Sequence, residues 1–252
     1  MHNFSLNLYL CIFRDWVLHN WTPFVRHFPE SHSGVAIELE LDGMIKALNL
    51  HTLDIPLIAV NDNASNCKKA IRISNYLQQF LCAIHTLQLG IEDTFKKFRV
   101  GGTKMMEVIK KAKELSTAVK QSHPRIQELK KACEKVGIRY TTLKNQNETR
   151  WNSKYTNLSS CCKVKKALVK LSSEDEEGFW ASKVFVALEW KLVEAAVLIL
   201  EQPLLVTKAW EAEKTPTLNL VVSELYNLKL NLTAYMEDVK NDKWGRNLLR
   251  LQ

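Results

Sequence analysis

From Lys104 to Lys120 the apolar residues Met105, Val108, Ile109, Ala112, Leu115 and Val119 fall three and four apart, with lysines between them. On a helix this spacing makes one apolar stripe and leaves the lysines on the other face. That commits this part of the chain to helix-on-helix packing. The same period recurs at Ile126, Leu129, Cys133 and Val136, after Pro124 and before Gly137, which sits where a left-handed C-terminal cap is wanted. A further helix is expected to open near Trp151 and to carry Tyr155, Leu158 and Cys162. The acidic run Ser172–Gly178 breaks the pattern. Trp180 to Leu200 is strongly apolar and is expected to be stopped by Pro203. Thr215-Pro216-Thr217 offers a cap for a last stripe at Leu218, Val221, Val222, Leu225, Leu228 and Leu232. Residues 238–252 are polar, with Trp244, and receive no placement.

The first 90 residues read differently. Residues 4–13 and 17–28 look extended, and a turn follows at Pro29–Gly34. Val35–Leu50 is helical by period. Pro56–Val60 reads as a short buried strand, and Asn66–Phe80 as a helix. The next apolar stretch, from Leu81, is expected to start as a strand and pass into a helix. The order is therefore β–β–α–β–α, followed by a long helical part.

At 252 residues and 46% apolar the chain can bury a sizeable core. No apolar run approaches the roughly 18 residues of a membrane helix. The first residues lack a basic region and a cleavage site, so secretion is not expected. Six cysteines show neither CxxC nor zinc-finger spacing, which points to a reducing compartment. The net charge of +8 is uneven: residues 91–170 hold 20 Lys and Arg against 7 Asp and Glu. Such a block attracts a polyanion by counterion release, or is a set of solvated helix faces.

Three constellations could carry chemistry. Asp62 ends the Leu57–Val60 run between Asn61 and Asn63; a strand-end carboxylate is a metal ligand in some nucleases, and otherwise a helix cap. Cys82 and His85 form a CxxH pair with no second pair, which favours a structural role with His85 hydrogen-bonded near a strand end. Arg150, Trp151, Lys154 and Tyr155 gather basic and aromatic groups at a helix start. That suits a phosphate or a stacked base, or else a core with solvated cations. There is no P-loop and no GxSxG.

These pieces occur in order: "HSG", "VNDNASNCKKAI", "CAIHTLQL", "ETRWNSKYTNL" and "LEWKLVEAAVLILEQPLLVTKAWEAEKTPTL". Together, over roughly Leu18 to Met236, they resemble the hAT transposase superfamily, in its group with BED-type zinc fingers. The resemblance implies an α-rich α/β fold: an incomplete RNase H-like domain interrupted by a large all-helical insertion. Residues 1–95 would be the partial core and 96–252 the insertion. By the resemblance Asp62 matches the second catalytic acid. Cys82, His85, Asn63 and Asn66 belong to structural motifs, and Arg150 and Trp151 to the insertion's R-W motif.

The first and third catalytic acids of that family, its BED finger and its dimerisation region find no match here. The expectation is a non-enzyme: a relic of a metal-dependent DDE-type transposase, with an ancestral Mg or Mn site left incomplete and no cofactor. It would be nuclear by resemblance, otherwise cytoplasmic. It would touch DNA non-specifically through basic residues that include Lys96, Lys97, Arg99, Lys110, Lys111, Arg150, Lys154, Lys163, Lys165 and Lys166, with Trp151 as an aromatic contact. The alternative is a protein-interaction module or a remnant without DNA binding. A partner completing the sheet is a further expectation.

Overall fold

The computed structural model describes residues 5–14, 17–27, 32–100, 104–147, 151–211 and 220–241. The chain divides into two compact units. One is Met1–Leu87 with Ala209–Val221, the other Gln88–Lys208 with Val222–Gln252.

In the first unit, strands β1 (Ser5–Arg14) and β2 (Val17–His27) pair antiparallel as a two-stranded sheet. Helix α1 (Gly34–Ala47) starts at Ser33, whose Oγ accepts from the Ala36 N–H at 3.2 Å. Such an N-terminal cap satisfies a donor that the helix itself cannot. Strand β3 (Leu57–Asn61), helix α2 (Ser65–Ile73) and strand β4 (Leu77–Leu81) follow, and β3 and β4 pair in parallel. Helices α1 and α2 pack through Ile37 and Ala70, with Ala36, Leu41 and Cys67 against them.

Two expectations need correction here. The helix read over Asn66–Phe80 ends at Ile73. Ser74 is extended, and its Oγ donates to the buried Asp42 at 2.7 Å, which turns the chain out of the helix and into β4. The strand read as buried is half-buried. Leu57, Ala59 and Asn61 turn inward, while Ile58 and Val60 are 54% and 64% exposed.

The second unit is helical. Helix α3 (Ala83–Val100) begins in the first unit. It is followed by α4 (Lys104–Lys120), α5 (His123–Lys135), α6 (Trp151–Lys163), α7 (Lys165–Glu174), α8 (Phe179–Lys183), α9 (Ala187–Trp210) and α10 (Leu220–Asn241). The stripes on α4 and α5 are buried as their spacing requires. Val108, Ile109, Ala112, Leu115, Val119, Leu129 and Cys133 form one core with Leu158, Cys161, Leu168, Trp190 and Val193. Gly137 closes α5 with φ +69, a conformation that L side chains rarely adopt.

Pro203 does not stop the apolar helix but lies inside α9. The break falls earlier, at Val184–Val186, where the Glu189 carboxylate accepts from the Val186 N–H at 2.8 Å and caps the start of α9. The Thr215-Pro216-Thr217 cap lies outside the described residues. Among the described residues no helix is long and apolar enough to cross a membrane.

Candidate functional sites: a strand-end polar cluster and the cations of the helical unit

The carboxyl ends of β3 and β4 lie side by side, and α2 and α3 start just beyond them. The Cys82 N–H donates to the Asn61 carbonyl at 2.8 Å and carries the strand pairing one residue further. Asp62 follows β3 and is exposed. Its Oδ1 accepts from the Ala64 N–H at 3.2 Å, a local turn that aims the chain into α2. The N-cap of α2 is Ala64, so Asp62 shapes the entry to the helix without being its cap. Asn63 Nδ2 donates to Thr86 Oγ1 at 3.4 Å, which ties this turn to the first turn of α3. Asn66 Nδ2 donates to the His32 carbonyl at 3.1 Å, and its Oδ1 accepts from the Cys67 N–H at 2.9 Å. Burial, with the Asp62 charge as a lesser cause, raises the pKa of the Cys67 thiol.

The structure therefore brings Asp62, Asn63, Asn66, Cys82 and His85 to one end of the small sheet. Their contacts there are structural. Thr86 donates back to the Cys82 carbonyl from both its N–H, at 3.0 Å, and its Oγ1, at 2.9 Å. His85 is half-buried in the same turn, and among the described residues it makes none of these hydrogen bonds. Two-metal phosphoryl transfer needs several carboxylates around ions about 4 Å apart. Among the described residues no group of three or more His, Cys, Asp or Glu side chains could hold a metal ion. Asp62 thus has no such ligand set around it there.

Of the basic and aromatic residues at the start of α6, Trp151 and Lys154 turn inward, against the expectation. Arg150 lies outside the described residues. Trp151 is the first residue of α6 and only 3% exposed, packed in the helical core, so its faces cannot stack on a base. Lys154, four residues before Leu158, also faces inward. Its side chain is 12% exposed, pairs with Glu92 at 3.1 Å, and lies 5.0 Å from the centre of the Phe95 ring. A cation held between a carboxylate and an aromatic face is part of the packing and not a free phosphate ligand.

Lys111 is similar, with Glu189 at 2.7 Å and the Phe185 ring at 5.9 Å. Lys165 pairs with Glu194 at 2.7 Å and lies 5.4 Å from the Trp190 ring, and Lys96 pairs with Asp93 at 2.9 Å. Lys97, Lys110, Lys163 and Lys166 are exposed and take no part in these pairs. The Arg99 side chain lies outside the described residues.

Asn157, in the stretch ETRWNSKYTNL, is the polar centre of the helical unit. Fully buried, its Nδ2 donates to Ser116 Oγ at 2.6 Å and to the Lys144 carbonyl, while its Oδ1 accepts from Gln146 Nε2 at 2.9 Å. Gln146 donates in addition to the Ile109 carbonyl at 3.0 Å. Ser160 Oγ accepts from the Lys144 N–H at 2.9 Å, and Ser153 Oγ from the Asn147 N–H at 2.8 Å. A polar side chain of α6 every few residues thereby holds the irregular segment before it against α4. A buried Asn at a helix position that the apolar stripe would occupy is the signal that could have found it.

No curated protein matches this chain. Residues 80–198, from the end of β4 into α9, match the family model described as the ZBED1 RNase-like helical domain, which is consistent with a transposase-derived protein related to the hAT and BED-finger groups.

Proposed function

We propose that this chain is a catalytically inactive, hAT-type transposase derivative of the nucleus that contacts nucleic acid without sequence preference, through lysines of its helical unit. The observation that carries the reading is the division among those lysines. Lys111, Lys154 and Lys165 are neutralised within the fold, whereas Lys97, Lys110, Lys163 and Lys166 stay exposed outside those pairs. Exposed lysines exchange condensed counterions for phosphate contacts at little cost in structure. In this reading the first unit is the remnant of an RNase H-like layer, and Asp62 is a former metal ligand kept for its local turn. The family match over residues 80–198 supports the ancestry.

The test is binding of the full chain to a labelled DNA duplex at low salt. The comparison is a variant with Lys97, Lys110, Lys163 and Lys166 all changed to Glu, shown by circular dichroism to be folded. Binding in the micromolar range that the variant loses supports the reading. Absence of binding by the folded parent refutes it.

One observation favours a second reading, a protein-interaction module. Parallel strands are ordinarily covered on both faces, yet β3 leaves Ile58 and Val60 exposed. A partner laid against that face would bury them.

A further inference from the structure

We propose that Ser173 is a phosphorylation site for acid-directed serine/threonine kinases. Ser173 lies in the last turn of α7 and is exposed, while its neighbour Ser172 is half-buried. Glu174, Asp175, Glu176 and Glu177 follow it without interruption. A kinase whose substrate groove is lined with cations is drawn to a hydroxyl followed by acids through charge complementarity.

The backbone allows the approach. Asp175 has left the helix, with φ −122 and ψ 79, and residues 175–178 are non-helical up to α8. For Ser173 and the acids after it to be taken up in extended form, the final turn of α7 must open and the Asp175 carboxylate must release the Trp180 N–H, from which it accepts at 2.7 Å; terminal turns open at low cost.

Two lysines give the product a defined consequence. Lys170 and Lys166 precede Ser173 by three and seven residues and so share its helix face. Lys170 now pairs with Glu174 at 2.7 Å, and the Ser173 hydroxyl donates to the Lys170 carbonyl at 2.8 Å. In the transfer, the γ-phosphoryl group of a nucleoside triphosphate held by the kinase bonds to Ser173 Oγ. The bond from the γ-phosphorus to the β,γ-bridging oxygen breaks, the nucleoside diphosphate leaves, and the hydroxyl proton passes to the kinase base. The phosphoserine can no longer donate to the Lys170 carbonyl. It competes with Glu174 for Lys170, and it brings negative charge to the negative end of the helix, which frays the last turn. The same charge lowers the local positive potential around Lys166.

The experiment incubates the full chain with a purified acid-directed serine/threonine kinase and radiolabelled ATP, using an acidic peptide substrate as the activity control. Incorporation of one phosphate, mapped by mass spectrometry to Ser173, is the expected result. Ser173→Ala should abolish it and Ser172→Ala should keep it. Changing Glu174, Asp175, Glu176 and Glu177 to Gln or Asn should slow it by about tenfold or more, as expected when charge steering is removed. No label on the folded chain, label that persists in Ser173→Ala, or a rate indifferent to the four acids would overturn the proposal. None of these results depends on whether the chain binds nucleic acid.

Discussion

Asn157 Nδ2 donates to Ser116 Oγ at 2.6 Å, joining α6 to α4 at a point from which water is excluded. The same amide satisfies the Lys144 carbonyl and accepts from Gln146. Asn157→Leu has nearly the same size but leaves these groups buried without partners. It should destabilise the chain by roughly 2 to 4 kcal/mol, since each orphaned buried group costs about 1 to 3 kcal/mol. Urea unfolding of parent and variant measures this. A change within a few tenths of a kcal/mol would show that the network is dispensable.

Lys154 and Glu92 are the second test. Both side chains are mostly buried, so removing one leaves the other charge unpaired. Lys154→Met should cost about 1 to 3 kcal/mol, reduced from fully buried values because water still reaches Glu92. The double variant with Glu92→Gln should be more stable than Lys154→Met alone, which a double-mutant cycle detects. A loss in the double variant equal to the sum of the Lys154→Met and Glu92→Gln losses would mean that the pair carries no coupling.

The vicinal thiols give a pH dependence. Burial pushes Cys161 up to about 12 and Cys162 up to about 11 from an ordinary value of 9.0. A group whose folded pKa is raised stabilises the fold below its unfolded pKa and loses that contribution as pH rises toward the folded value. These thiols therefore stabilise the protein fully below about pH 9 and progressively less from there to about pH 12. Native thiol titration near neutral pH should find Cys161 unreactive until the chain unfolds, and Cys161→Ser should flatten the alkaline loss of stability. Rapid labelling of Cys161 in the native state would contradict its burial.

Gly137 has φ +69 with open space around the position a Cβ would take. Gly137→Ala should thus cost only the backbone conformation, about 1 to 2 kcal/mol. A thermal melt that shifts down by a few degrees agrees with this, and an unchanged melt does not.

How much of this was legible in the sequence depends on which interactions decided each element. The stripes of α4 and α5 set their own inward faces, and the helices follow them. The end of α2 was not legible, because Ser74 leaves the helix for Asp42, a partner 32 residues away in sequence. The proline in α9 misled for a similar reason. Leu200 and Val206, buried on either side of Pro203, hold the helix together by packing. The true break at Val184–Val186 hid in an apolar run whose one signal was Glu189. At the start of α6 the basic and aromatic residues were legible but their direction was not. Trp151 and Lys154 turn inward with Leu158, which moves the candidate polyanion contacts to lysines elsewhere in the unit.

The most direct measurement is the salt dependence of duplex binding by the full chain. The logarithm of the binding constant is plotted against the logarithm of salt concentration. Each phosphate contact contributes a slope of about −0.9 on B-form DNA. Binding should weaken steeply with salt. Changing Lys97, Lys110, Lys163 and Lys166 to Gln should reduce the slope by about one for each of them that meets a phosphate. A slope that stays the same in the Gln variant, or binding indifferent to salt, would contradict a nucleic-acid surface built from these exposed lysines.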